Sequence, residues 1–196
     1  MKIHAKVLRM ASGRLLALAA AALLAACASV PAPPSAGAAA PAAGAVAAPS
    51  LGWTSRIKVP DGHAPVLQLA GRGVQVFRCE QRGSEWGWWY RQPEAQLFEA
   101  AGRPVGRHGA DFSFEHSDGS RLIGTVLASD AAPADGDLRW LLLGTRAYGT
   151  GALAGITHVQ RVNTRGGVPP LLCEPRQAGQ LLRVDFSADF VFYRPR

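Results

Sequence analysis

The run LLRVDFSADFVFY at residues 181–193 alternates with period two. Leu182, Val184, Phe186, Ala188, Phe190 and Phe192 fall on one side, while Arg183, Asp185, Ser187 and Asp189 fall on the other. A helix would scatter these residues around its circumference; a strand separates them into an apolar face and a charged one. The chain therefore closes on a long strand with one buried face, and that strand requires others to pair with.

The same period recurs upstream. It marks strands at 64–70, 73–80, 85–91, 111–116, 121–128, 138–147 and 153–164. Turn signals lie between them: Asp61-Gly62, Gly71-Arg72-Gly73, Arg82-Gly83-Ser84, Ser117-Asp118-Gly119, Asp135-Gly136-Asp137 and Arg165-Gly166-Gly167. Many short strands joined by glycine turns predict a mainly β fold: a single-domain antiparallel β-sandwich or barrel-like fold with little helix. One stretch is ambiguous. Pro93-Glu94-Ala95 could open a helix running to Ala101, but the Gly102 turn favours a hairpin, LFE-AAG-RPVG.

The chain before this domain has a different composition. Lys2, Lys6, Arg9 and Arg14 precede LLALAAAALLAA at residues 15–26, an apolar stretch too short to span a bilayer stably. It ends in Leu24-Ala25-Ala26-Cys27, which resembles the bacterial lipobox, so residues 1–26 read as a lipoprotein signal peptide and Cys27 as the lipidated residue. Ala28, in place of an aspartate, implies by the same resemblance no inner-membrane retention. The expected location is the outer membrane, lipid-anchored and facing the periplasm. Residues 27–50 then form a tether of Ala, Pro, Gly, Ser and Val with five prolines, and residues 51–196 the globular domain. The 23 residues after Cys27 reach about 26 Å as a mixed coil and about 70 Å in polyproline geometry.

Removing residues 1–26 leaves 17 basic against 14 acidic side chains, a net +3, so the high pI is partly a property of the leader. The sixteen arginines and Lys58 are scattered, and nothing suggests a nucleic-acid partner. With Cys27 used by the lipid, Cys79 and Cys173 remain as a pair, which in an exported domain predicts a disulfide.

The blocks VPDGHAPVLQLAGRGVQVFRCE, WWYRQPEAQLFEAAGRPVGRHG, DGSRLIGTVLA, RWLLL, VQRVNTRGGVPP and SADFVFY together resemble the secreted bacterial and fungal family called domain of unknown function 3455, from about Lys58 to Tyr193. The family pattern falls on Trp88, Pro93, Glu94, Ala95, Leu97, Gly102, Gly106, His108, Glu115, Asp118, Gly119 and Ser120. The chain departs from it at Ala110, Asp111 and Phe114, where relatives tend to carry Gly-Pro and then Trp. The resemblance implies a β-rich exported domain and brings no assigned activity.

Chemistry is sparse. His108, Glu115 and His116 lie within nine residues, and a hairpin could set two of them opposite each other as a metal or general-base site. Glu115 and His116 are strand neighbours and point to opposite faces, so a hydrogen-bonded structural histidine is the simpler expectation. Ser120 follows a turn without a GxSxG elbow. No phosphate loop, nicotinamide fingerprint or HExxH is present, and no cofactor is expected. Arg161, Arg165 and Arg176 read as a solvated face, with an anion-binding edge as the alternative.

The aromatics carry more weight. In EWGWWY, residues 85–90, Trp86, Trp88 and Tyr90 share one strand face, and Gly87 and Trp89 the other. A buried stripe is the common outcome for such a face. An exposed one could stack on sugar rings, which makes Trp86, Trp89 and His108 the candidate ligand-binding residues. The expected function is a non-catalytic envelope module that binds a glycan or protein partner. A small metal protein or enzyme centred on His108, and a purely structural envelope role, are the alternatives.

Overall fold

Eight strands, each antiparallel to its neighbours, close into a barrel in a computed structural model that describes residues 46–196. The leader, Cys27 and the tether as far as residue 45 lie outside the described residues. The strands run in simple order: β1 His63–Arg82, β2 Glu85–Phe98, β3 Pro104–Gly109, β4 Ser113–His116, β5 Arg121–Asp130, β6 Trp140–Tyr148, β7 His158–Gly166 and β8 Leu181–Pro195. The barrel closes where β8 pairs with β1, from His63 opposite Pro195 to Arg78 opposite Leu181. Closure leaves no unpaired sheet edge around most of the barrel.

The alternation of β8 does what its sequence demands. Phe186, Ala188, Phe190 and Phe192 point into the barrel and pack with Leu69, Leu97, Phe114, Leu122 and Leu143. Phe114, Phe190 and Phe192 are fully buried, each worth on the order of 2–3 kcal/mol in transfer from water. Phe114 meets Phe190 and Phe192 edge-on, with ring centroids 5.1 and 5.3 Å apart. The Pro93 segment is strand, and β2 turns into β3 through a hairpin closed by Gly102 N–H donating to the Glu99 carbonyl.

Two local expectations are corrected. Gly71-Arg72-Gly73 is no turn, because β1 runs straight through it. A Cβ on Gly71 would strike the ring of Phe190, while one on Gly73 would strike the Glu94 carbonyl oxygen and the Ala95 backbone. These glycines serve close approach of backbone and ring, which a closed barrel needs. Likewise the strand expected from Leu153 starts only at His158. Residues 149–157 form a loop with left-handed Gly149 and Gly155, and its Leu153 and Ile156 plug one end of the core.

That plug is held by the DGS turn. Asp118 accepts the Ser120 N–H and hydroxyl on one oxygen (2.9 and 2.6 Å) and the Ala152 N–H on the other (2.7 Å). The buried Ser120 hydroxyl in turn accepts the Leu153 N–H at 3.2 Å. On the outside, Ile57 is buried against Leu142 and Val162. It is fastened by Gln160 Nε2 donating to its carbonyl (2.6 Å), with the Tyr193 hydroxyl donating to Gln160 Oε1 (2.5 Å).

Candidate functional site

The other end of the barrel is built differently. β2 pairs with β1 along its length, starting from Glu85 opposite Arg82, but with β3 only from Ala95 onward. The stretch from Glu85 to Glu94 therefore overhangs the barrel with one edge free of β3. Loop 167–180 lies against this overhang: Leu172 bridges to Gly87, Cys173 is disulfide-bonded to Cys79, and Cys79 exchanges backbone hydrogen bonds with Gly179 and Gln180 at 2.9 and 3.0 Å. The two cysteines paired in the sequence reading thus staple a lip onto the barrel mouth.

Between overhang and loop is a cleft of about 530 Å³, walled by Trp86, Trp88 and Trp89 on one side and by Pro170, Leu171 and Leu172 on the other. The register keeps Trp86, Trp88 and Tyr90 on one face and Trp89 on the opposite one. The expectation that the first face is core does not hold. All three tryptophans are half-buried, Tyr90 is 43% exposed, and none joins either hydrophobic cluster, because β2 has run past the end of the barrel. Trp89 is the most engaged of them: its Nε1 donates to the Glu80 carbonyl at 3.0 Å, and Arg82 stacks on its ring at 3.8 Å. Glu80 also pairs with Arg91. Leu171, 88% exposed, offers the cleft an apolar lip.

Beside the lip, Val168 and Pro169 border a second, open-mouthed cavity of about 300 Å³ whose walls include Phe77, Tyr90, Phe112 and Leu138. Gln75 and Arg161 reach it from inside the barrel. Arg161 is not part of a solvated face. It sits in β7 between Leu141 and Phe190, two core residues, and is 7% exposed. Its Nε and one Nη donate to the Arg139 carbonyl at 3.3 and 2.9 Å. Burial pushes its pKa down to about 10, opposed by Tyr90. Burial likewise pushes Tyr90 up to about 12, with Arg161 opposing and Asp111 adding to the shift. Arg165 and Arg176 stay on the surface. The alternation in VQRV carried the signal, since it sets Arg161 on the same face as the core residue Val159. Gln75 carried no comparable mark.

The histidine candidates are separated by the same register. His108 opposes Phe114, Arg107 opposes Glu115, and Gly106 opposes His116. His108 is 1% exposed, stacked on Phe114 at 4.4 Å and beside Phe190 at 5.0 Å. Its Nδ1 donates to the Ser113 carbonyl at 2.8 Å, and its Nε2 meets no partner. Burial lowers its pKa to about 4, against the Ser113 hydrogen bond and reinforced by the Arg161 charge. Glu115 faces outward and pairs with Arg107 (2.7 Å from Nε), and His116 lies 3.0 Å from Asp118. Among the described residues, no group of three or more His, Cys, Asp or Glu side chains is placed to hold a metal ion.

These features define a class: a small closed antiparallel barrel, filled at one end and carrying a lipped, aromatic-lined cavity at the other. Residues 60–194 match the family described as a protein of unknown function, DUF3455, and the chain belongs to that family. No curated protein and no solved structure matches it.

Proposed function

We propose that the domain is a non-catalytic binding module of the cell envelope, with its ligand taken at the lipped end of the barrel. The observation that carries this is the cleft between Trp86, Trp88 and Leu171, whose walls are fixed in advance by the Cys79–Cys173 staple. A preformed cleft spares a ligand the entropy of ordering its receptor. The half-buried indoles of Trp86 and Trp88 present flat apolar faces suited to stacking on sugar rings, and Glu85 adds an acceptor for hydroxyl groups. Envelope glycan is accordingly the first ligand class, and lipidated Cys27 with its tether would hold the module at the outer membrane on the periplasmic side. His108, by contrast, lacks the solvent access that a general base requires.

The test is a fluorescence titration of the purified protein with peptidoglycan fragments, lipopolysaccharide and simple polysaccharides. A shift in tryptophan emission that disappears in the Trp86→Ala/Trp88→Ala double variant supports the reading. An emission unmoved by all three glycan classes rejects it. The exposed Leu171 and Leu172 favour a second reading, an envelope protein seated on the same lip. Cross-linking in cells from Leu171→Cys, giving one defined adduct, would select it.

A further inference from the structure

We propose that the cavity beside the lip is a binding site for a small organic monocarboxylate with an apolar body, its carboxylate held by Arg161 and Gln75. The inference rests on reading this end of the barrel as a binding site, and is independent of what fills the tryptophan cleft.

A guanidinium carries five N–H donors, all needing acceptors once water is removed. Arg161 is buried between Leu141 and Phe190, yet its hydrogen bonds within the protein go only to the Arg139 carbonyl. Among the described residues no carboxylate pairs with it. A buried cation without a counter-charge is among the costliest arrangements a fold can hold. Beside it, Gln75 is 2% exposed and its Nε2 is buried without an acceptor. Both side chains line the same cavity. Arg161, bonded only to the Arg139 carbonyl, and Gln75, with its Nε2 unpaired, thus face one open-mouthed cavity, and a bidentate oxyanion there would give both an acceptor.

The walls decide which oxyanion. Phe77, Phe112, Leu138, Val168 and Pro169 are apolar and offer nothing to the remaining oxygens of a phosphate or sulfate, and the guanidinium of Arg139, which also lines the cavity, is given to Ser129. Asp137 also lines the cavity, with its Oδ1 accepting the Gly166 N–H at 2.6 Å. Its negative charge disfavours a dianion and is tolerable beside a single carboxylate. A volume of about 300 Å³ admits a body of one or two fused rings or a short branched chain. Tyr90 stands in the wall of the same cavity with its ring available to stack on such a body.

The probes are 1-naphthoate and its uncharged isostere 1-naphthamide, titrated into the protein by calorimetry. The expected result is naphthoate binding at least tenfold tighter than naphthamide, with the difference abolished in Arg161→Met and reduced severalfold in Gln75→Leu. A measurement without variants runs alongside: naphthoate, but not naphthamide, should protect Arg161 from phenylglyoxal modification mapped by mass spectrometry. Equal binding of acid and amide, or naphthoate binding unchanged in a folded Arg161→Met protein, overturns the proposal. So does absence of naphthoate binding together with unprotected Arg161. Each of these failures leaves the glycan titration of the tryptophan cleft standing, and a failed glycan titration leaves the naphthoate result standing.

Discussion

Cys79 and Cys173, 94 residues apart in sequence, are joined where β1 overhangs the barrel, so a covalent bond reinforces the Gly87–Leu172 bridge and the Cys79 backbone bonds that seat loop 167–180. Closing so long a loop restricts the unfolded chain, and on the chain-entropy account stabilises the fold by up to about 4–5 kcal/mol. The Cys79→Ala/Cys173→Ala variant should lose much of that in urea unfolding. It should also shift tryptophan emission to the red while still native, as the lip leaves Trp86 and Trp88. Unchanged emission in the folded variant would mean that the backbone bonds of Cys79 with Gly179 and Gln180 hold the lip without the disulfide.

His108 predicts a pH dependence. Burial holds its pKa at about 4, against 6.5 for the free side chain. Between these values the unfolded chain binds a proton that the folded barrel refuses, so stability falls as pH falls through the window, by about 3 kcal/mol at its lower end. His108→Phe keeps the stack on Phe114 but leaves the Ser113 carbonyl without its donor, a cost of about 1 kcal/mol at neutral pH. The gap between wild type and variant should therefore close, then reverse, between about pH 6.5 and pH 4.5. His158, also depressed by burial and by the charge of His63, titrates equally in both proteins and drops out of the difference. A gap independent of pH would show that His108 is not held neutral.

Gly73 and Gly102 separate two uses of the same residue. A Cβ at Gly73 would collide with the Glu94 carbonyl and Ala95 backbone of the paired strand. Gly102 sits at φ 79° in the β2–β3 turn with open space around it. Gly73→Ala should cost about 2–3 kcal/mol or prevent folding, and Gly102→Ala about 1 kcal/mol. Equal costs in chemical denaturation would contradict the close-approach role of Gly73.

The same pair shows how far the fold was legible in the sequence. Period two in β8 carried the strand and its buried face, and Gly102 carried a true turn. At Gly71 and Gly73 the signal was ambiguous in principle, because a glycine needed for φ and one needed for space look identical until the neighbouring strand is known. Leu153 and Ile156 fit a strand pattern by spacing, but the left-handed glycines around them make a plug. EWGWWY resolved into its two faces from alternation alone. Whether the Trp86–Trp88 face met core or solvent depended on where β3 begins, a property of the whole barrel. Arg161 shared a face with Val159 in plain sight, and what hid it was the expectation that arginines in a strand lie outward.

Asp118 governs the closed end. Its carboxylate pKa lies well below the usual range, chiefly because of the Ser120 hydroxyl, then the Ala152 and Ser120 N–H groups, with desolvation opposing and His116 adding a smaller contribution. A depressed carboxylate stabilises the fold above its unfolded pKa of 3.8, and that stabilisation is lost as pH falls through this value toward the folded one. Asp118→Asn retains one acceptor oxygen where the wild type has two, so it cannot hold both Ser120 and Ala152. The expected outcome is a lower melting temperature for Asp118→Asn, by an amount that shrinks below about pH 4. Hydrogen exchange at the Ala152 and Leu153 amides should accelerate in the variant while the amides of β8 stay protected, because the loop opens locally before the barrel does. If those two amides exchange no faster, the Asp118 bonds are not what holds Leu153 in the barrel, and packing of Leu153 and Ile156 alone closes that end.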